Sequence, residues 1–153
     1  MGLIRSCYVL RPARETDPIR DTYRTVVMDL KDSPTKHLLI TGSTIGNALA
    51  QEFAADDAVE LITLTYKSRC PDITSKKIIT RQLDVADEDA VHNTFKHLER
   101  LDGVINAVGF LHGEGFQPEK SISRASTKTF FKNMEANTLP TILLAKHSRN
   151  LLK

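Results

Sequence analysis

The sequence has few cysteines, little excess charge and no long apolar run, and each shortage argues against a class of protein. Its cysteines are Cys7 and Cys70, too few and too far apart for a disulfide framework, so we expect reduced thiols and a cytoplasmic protein. The formal net charge of +2 leaves no electrostatic footprint for a nucleic-acid partner. Because no apolar run is long enough to span a bilayer, we expect no membrane association either.

Metal ligands are also scarce. His112 and His147 stand alone, whereas His92 and His97 share a predicted helix at a spacing of five residues, which does not aim both rings at one ion. We therefore expect surface histidines and no metal site.

The length and composition predict one globular domain preceded by an extension. The chain has 153 residues, of which 41% are hydrophobic and 26% charged, enough to bury a core. Residues 1–35 contain Pro12, Pro18 and Pro34, and we expect a poorly ordered extension. Met1–Ser6 fits the short N-myristoylation pattern and the arginines suit a transit peptide, but we prefer the extension without such a signal.

From residue 36 onward, apolar strands alternate with amphipathic helices. Four short runs have the composition of buried strands: 37–41, 61–66, 78–83 and 104–108. Apolar residues at helical spacing follow the first run (Ile45, Ala48, Leu49, Phe53), the third (Ala90, Val91, Phe95, Leu98) and the fourth (Phe130, Phe131, Met134, Leu139, Ile142, Leu143). The last helix, about 126–152, should kink at Pro140. This alternation predicts an α/β fold with a parallel sheet of about four strands.

Several short motifs follow the predicted strands in a fixed order. They are Thr41-Gly42, Ile45-Gly46, Leu83-Asp84-Val85, Asn106-Ala107-Val108-Gly109 and Asn137. Together they resemble the short-chain dehydrogenases/reductases over about residues 36–148. The resemblance implies an NADP(H)-dependent oxidoreductase. It also implies that residues 36–153 form only the N-terminal half of a Rossmann-like domain, truncated after the fourth strand and the helix that follows it.

The glycine turn after the first strand is the candidate phosphate site. Backbone N–H groups at a helix N-terminus favour a diphosphate, and the residues concerned are Gly42, Ser43, Thr44, Ile45 and Gly46. The glycines alone would equally suit a tight turn. Aligned with the family pattern without a gap, the turn has Ala48 in place of the last glycine; aligned with a gap, Ile45-Gly46 is the final pair and the turn is two residues short. We favour the gap, so we expect cofactor binding to be weak or lost.

The end of the second strand favours NADP over NAD. NAD-preferring relatives carry an acidic residue there, whereas this sequence has Lys67, Ser68 and Arg69, which suit an added phosphate. A basic, solvated loop is the alternative.

The resemblance assigns roles to the remaining motif residues. Asp84 and Val85 would lie beside the adenine, although Asp84 could instead cap a helix, as Asp87 could. Asn106 matches the family's structural asparagine, which links strands near the cofactor, although it could simply satisfy backbone groups. Gly109 would leave room for the nicotinamide ribose, and Ala107 is a further cofactor-binding candidate. Asn137 matches the asparagine of the family's proton relay.

The proton donor of the family is missing from the sequence. In the family a serine on the next strand and a Tyr-x-x-x-Lys pair follow, but Tyr8, Tyr23 and Tyr66 all lack a lysine four positions later. Because carbonyl reduction needs a positioned proton, we expect a catalytically incomplete chain.

Truncation also predicts an exposed sheet edge. Without a fifth strand, residues 104–108 would form an unpaired apolar edge, and the last helix would expose Leu139, Ile142 and Leu143. Self-association or a partner chain is the expected consequence. Three functional hypotheses remain: a reductase lacking its catalytic half, a non-catalytic nucleotide-binding or interaction module, and a non-functional gene fragment.

Overall fold

The computed structural model describes residues 8–10, 35–110 and 121–152. In chain order the strands are β1 (Tyr8–Leu10), β2 (Lys36–Thr41), β3 (Val59–Tyr66), β4 (Ile78–Gln82) and β5 (Gly103–Asn106). The helices are α1 (Thr44–Ala54), α2 (Glu88–Lys96), α3 (Thr127–Asn137) and α4 (Leu139–Ser148), with a one-turn helix at Ile122–Arg124.

The strands form one sheet in the order β1-β5-β2-β3-β4. The strands from β2 to β5 are parallel, with Leu39 opposite Thr63 on one side and Val104 on the other. The chain moves outward from β2 through β3 to β4 and then returns to the opposite side of β2 as β5. This Rossmann-like arrangement confirms the predicted α/β fold. The order in which the chain adds strands changes side between β2 and β5, although these two strands are parallel.

The prediction that β5 forms an exposed sheet edge is wrong. Tyr8–Leu10 pairs antiparallel with β5, with Val9 opposite Ile105, so a segment of the predicted extension occupies that edge. The strand is also shorter than predicted, since it ends at Asn106 rather than Val108. The remaining predictions for residues 1–7 and 11–34 concern residues outside the described ranges, as does the prediction for His112.

Helices cover both faces of the sheet, so its central strands are buried on both sides. Leu38 and Ile40 point to the face packed by α1, whereas Leu39 points to the face packed by α2 and α4. All three side chains are almost fully buried. The near-continuous apolar run of β2 follows from this double burial.

Helix α1 buries a different stripe from the predicted one. Gly46, Ala50 and Ala54 are its buried residues, spaced four apart, while Ile45 and Ala48 are exposed. The small side chains let the helix lie close to the sheet, because a Cβ at Gly46 would stand 2.8 Å from the carbonyl oxygen of Thr41. Leu49 and Phe53 are only partly buried at the margin of the core.

The long last helix is divided rather than kinked at Pro140. Helix α3 ends at Asn137, and α4 begins at Leu139 with Pro140 in its first turn, where a missing N–H costs nothing. The predicted exposure of Leu143 is wrong, because Leu143 packs in the core, whereas Ile142 is exposed. Among the described helices, none combines the length and apolar character that crossing a membrane requires.

Candidate functional site

The carboxyl ends of β2 and β5 lie side by side at the point where the strand order changes side. Gly42, directly after β2, has φ +101°, and its N–H donates to the carbonyl oxygen of Thr65 at 3.2 Å. A Cβ at Gly42 would lie 2.7 Å from the carbonyl oxygen of Ala107, the residue that follows β5. Both the backbone angle and the close approach require glycine. In open α/β sheets, the crevice at such a point is the usual ligand site.

The turn from β2 into α1 is very short. Only Gly42 and Ser43 separate the strand from Thr44, and the N–H of Asn47 donates to the carbonyl oxygen of Ser43 at 3.3 Å. Ser43 makes no side-chain cap, and the first turn carries no acidic residue. The N–H groups of this turn therefore face a place where an anion would be favoured.

A cleft of about 470 Å³ opens beside this turn. Its walls come from the segments that follow β2, β3, β4 and β5, and from one face of α3 and the start of α4. The predicted site residues in its lining are Gly42, Ser43, Thr44, Ile45, Lys67, Asp84, Val85, Ala107 and Gly109. The cleft thus brings together motifs that are up to 67 positions apart, from Gly42 to Gly109.

Four predicted cofactor residues do not line the cleft: Gly46, Ser68, Arg69 and Asn106. Gly46 is packed against β2, and Ser68 and Arg69 are exposed beside the cleft mouth that Lys67 lines. No carboxylate among the described residues pairs with Arg69.

Lys67 and Asp84 form an ion pair across the end of the cleft, with Nζ and Oδ2 2.6 Å apart. Asp84 Oδ1 also accepts a hydrogen bond from the N–H of Ala86 at 3.2 Å. The Lys67 ammonium, more than the backbone bond, lowers the pKa of Asp84 below its ordinary value, against the opposing effect of partial burial. The helix cap falls to Asp87, whose carboxylate accepts from the N–H of Ala90 at 3.1 Å.

Asn106 is a buried junction rather than a lining residue. Its Oδ1 accepts from Thr41 Oγ1 at 2.8 Å and from the N–H of Val108 at 3.2 Å. Its Nδ2 donates to Thr141 Oγ1 at 2.9 Å. One amide therefore connects β2, the segment after β5 and α4.

Asn137 connects α3 to the segment after β5. Its Oδ1 accepts from the N–H of Phe110 at 2.6 Å, and its Nδ2 donates to the carbonyl oxygen of Phe110 at 2.8 Å. Both groups of the side-chain amide are thus engaged with backbone.

Several lining residues were missed by sequence reasoning. They are Thr65, Tyr66, Leu83, Ala86, Val108, Phe110, Lys132, Glu135, Ala136 and Pro140. Most are neighbours of predicted residues, but Lys132 and Glu135 lie on α3, whose position against the sheet has no local sequence signal. In the part of the chain that the structure describes, no cluster of His, Cys, Asp or Glu could hold a metal ion.

These features define a Rossmann-like α/β protein: a parallel sheet whose strand order changes side at β2 and β5, helices on both faces, and a glycine turn at that point. The sequence profile of the family described as short chain dehydrogenase matches residues 36–153. The chain therefore belongs to the short-chain dehydrogenase/reductase family.

One curated relative is dehydrogenase/reductase SDR family member 6 from Xenopus laevis. It is 35% identical over 69 residues, which are 44% of this chain and 28% of the relative. Because only that share of the relative is matched, the likeness does not carry over the relative's activity.

Solved structures share the fold. A carbonyl reductase from chicken fatty liver with NADPH bound superimposes with a TM-score of 0.64 at 16% identity, covering 80% of this chain and 50% of that one. A variant of ElxO with NADPH bound gives 0.62 at 28% identity, covering 76% and 50%. An NADH-dependent reductase complexed with NAD gives 0.63 at 19% identity, covering 80% and 54%. The chain thus spans about half the length of these structures.

Proposed function

We propose that residues 36–153 are the dinucleotide-binding portion of an oxidoreductase that uses NADP(H). The observation that carries the proposal is the glycine turn at the point where the strand order changes side, where Gly42 lies against Ala107 with a positive φ and no room for a side chain. Similar proteins of known structure have NADPH or NAD bound, which supports a nicotinamide dinucleotide. When bound, that cofactor supplies a hydride.

Each part of the nucleotide lies against a different segment of the cleft. The first turn of α1, from Ser43 to Ile45, faces the diphosphate, because its N–H groups and helix dipole favour negative charge. Asp84 and Val85 lie beside the adenine. Ala107 and Gly109 leave room near the nicotinamide ribose, and Asn106 holds the neighbouring strand ends together.

NADP(H) is the preferred cofactor because of the cations after β3. Lys67 lines the cleft, and Arg69 lies beside it without a carboxylate partner among the described residues. No acidic residue stands at the end of β3 to accept a hydrogen bond from a ribose hydroxyl.

Binding in this proposal is weaker than micromolar. The turn of two residues is shorter than the family pattern, and such a shortening would draw the start of α1 toward β2 and narrow the space for a diphosphate. The adenosine end of the cleft keeps its charged groups. We therefore infer that the nucleotide is held chiefly by its adenosine half.

This chain alone does not reduce a carbonyl. Asn137, which matches a position of the family's proton relay, uses both side-chain groups on Phe110. Without a positioned acid, the oxygen that gains charge during hydride transfer receives neither a proton nor stabilisation. The chain would act as a nucleotide-binding module, and its two cysteines suit a reducing compartment such as the cytoplasm.

The test combines binding with turnover. Calorimetry should give a weaker-than-micromolar affinity for NADPH and a lower affinity for NADH. Incubation of the purified chain with NADPH and a panel of carbonyl compounds should leave the cofactor absorbance unchanged. Turnover that a point substitution within the chain abolishes would refute the catalytic part of the proposal, and aggregation on expression would support a non-functional fragment.

A further inference from the structure

The ion pair between Lys67 and Asp84 occupies the part of the cleft where a phosphate would need Lys67. Lys67 comes from the end of β3 and Asp84 from the segment after β4, and both line the cleft. The distance of 2.6 Å between Nζ and Oδ2 is a direct, charge-assisted hydrogen bond. The ammonium is therefore engaged by an anion of the protein itself.

Both members of the pair are anchored through their backbones. Tyr66 and Gln82 are opposite each other in the β3–β4 register, and Gln82 Nε2 donates to the carbonyl oxygen of Lys67 at 3.0 Å. On the other side, the N–H of Asp87 donates to the carbonyl oxygen of Asp84 at 3.1 Å. These bonds hold the backbones of Lys67 and Asp84 at a separation from which their side chains reach each other.

We propose that Asp84 competes with the ligand's 2′-phosphate for Lys67, so that the Lys67–Asp84 pair limits how strongly the cleft prefers a 2′-phosphorylated adenine nucleotide over an unphosphorylated one. A carboxylate and a phosphate are both acceptors for one ammonium, and binding of the phosphate requires the pair to open. A nucleotide without that phosphate leaves the pair closed. The proposal rests on the proposed function, because it concerns the same cleft.

The expected size of the competition follows from exposure. The Lys67 side chain is 72% exposed and that of Asp84 40%, so solvent screens the pair. Exposed pairs of this kind change equilibria by about two- to fivefold. The effect is measurable as a change in the ratio of two dissociation constants.

The experiment compares adenosine 2′,5′-bisphosphate with 5′-AMP, using NMR titration of the full chain. Asp84→Asn removes the charge but keeps an acceptor for the adenine amine, and it should raise the affinity ratio in favour of the bisphosphate by about two- to fivefold. Asp87→Asn is the matched control, since it removes the same charge three positions away, outside the cleft lining, and keeps the helix cap. Its ratio should stay at the wild-type value.

Repeating the comparison in a chain that lacks Lys67 separates the effect of the ion pair from the effect of removing one negative charge. In a Lys67→Met chain, the gain from Asp84→Asn should shrink to that of the Asp87→Asn control. A gain that persists undiminished without Lys67, or an Asp84→Asn ratio equal to the wild-type ratio, would overturn the competition while leaving nucleotide binding intact. If neither nucleotide binds the wild-type chain, the proposed function itself fails.

Discussion

At Gly42 the backbone and the surroundings impose the same choice of residue. Its φ of +101° is strained for any side chain, and a Cβ would collide with the carbonyl oxygen of Ala107. The sequence predicted a turn here, but only the structure shows that the two strand ends touch at this point. The glycine therefore matters for the junction of β2 and β5 as well as for an approaching phosphate.

Gly42→Ala should lower the free energy of unfolding by about 1–3 kcal/mol, because both strain and collision are introduced. Urea unfolding followed by circular dichroism measures this. Gly109→Ala is the control, since a Cβ at Gly109 meets Asn137 Oδ1 at an ordinary 3.7 Å, and it should be nearly neutral. Equal stabilities of the two variants would contradict the described junction.

Asn106 was predicted as a cofactor-site residue and, by resemblance, as an asparagine that links strands, with backbone satisfaction as the alternative. Its observed bonds to Thr41, Val108 and Thr141 are structural, and they explain why an amide, with a donor and an acceptor, is suited to this buried position. The partners could not be inferred from sequence, because Thr141 lies on α4, whose placement is a tertiary feature.

Asn106→Ala should cost about 1–3 kcal/mol of stability, since it leaves buried hydroxyl and backbone groups without their partner. The exposed helical Asn93→Ala, which removes the same amide from α2, should not destabilise the chain. Both changes are read from urea midpoints. If Asn106→Ala unfolds at the wild-type midpoint, the junction contributes nothing to the fold.

At the scale of elements, the predicted strands and the predicted buried face of α2 were largely confirmed, whereas the predicted buried face of α1 was not. In α2, Val91 and Phe95 are buried, with Ala90 and Leu98 packed beside them. The apolar runs of β2 and β3 lie where the sequence places them, because a strand buried on both faces has a local signature. The buried stripe of α1 consists of glycine and alanine, which hydrophobicity patterns undervalue. Close helix–sheet packing, rather than side-chain size, selected that face.

Strand β1 was missed because three residues in a proline-containing extension give no periodic signal. It pairs antiparallel with β5 and so covers backbone groups that would otherwise face solvent. Deletion of residues 1–10 should therefore increase association between copies, detected by light scattering after size-exclusion chromatography. Deletion of residues 1–7 retains β1 and should behave like the full chain. Identical behaviour of the two deletions would contradict a protective role for β1.

At the scale of the whole molecule, α3 is the least covered of the four described α-helices. It has no buried residue, and an apolar groove at its junction with α4 is lined by Phe131, Met134, Leu139 and Ile142. This groove is the surface through which the predicted self-association would occur, although Leu143 is buried and is not part of it.

Ile142→Glu, in the middle of that groove, should reduce concentration-dependent self-association measured by sedimentation. Ile142 is 56% exposed, so the change should not disturb the core. Ile122→Glu is the control, because Ile122 is 93% exposed and lies outside the groove lining. A chain that is monomeric at all concentrations, or one whose association is equally sensitive to both changes, would contradict this expectation.

The central claim is that the cleft at the carboxyl ends of β2 to β5 holds a nicotinamide dinucleotide. NMR titration of the full chain with NADPH tests it most directly, because each affected amide is identified. We predict saturable binding, weaker than micromolar, with the largest shifts at Gly42–Ile45, Lys67 and Asp84, and little change in α2. Absence of saturable shifts at these amides would contradict the account.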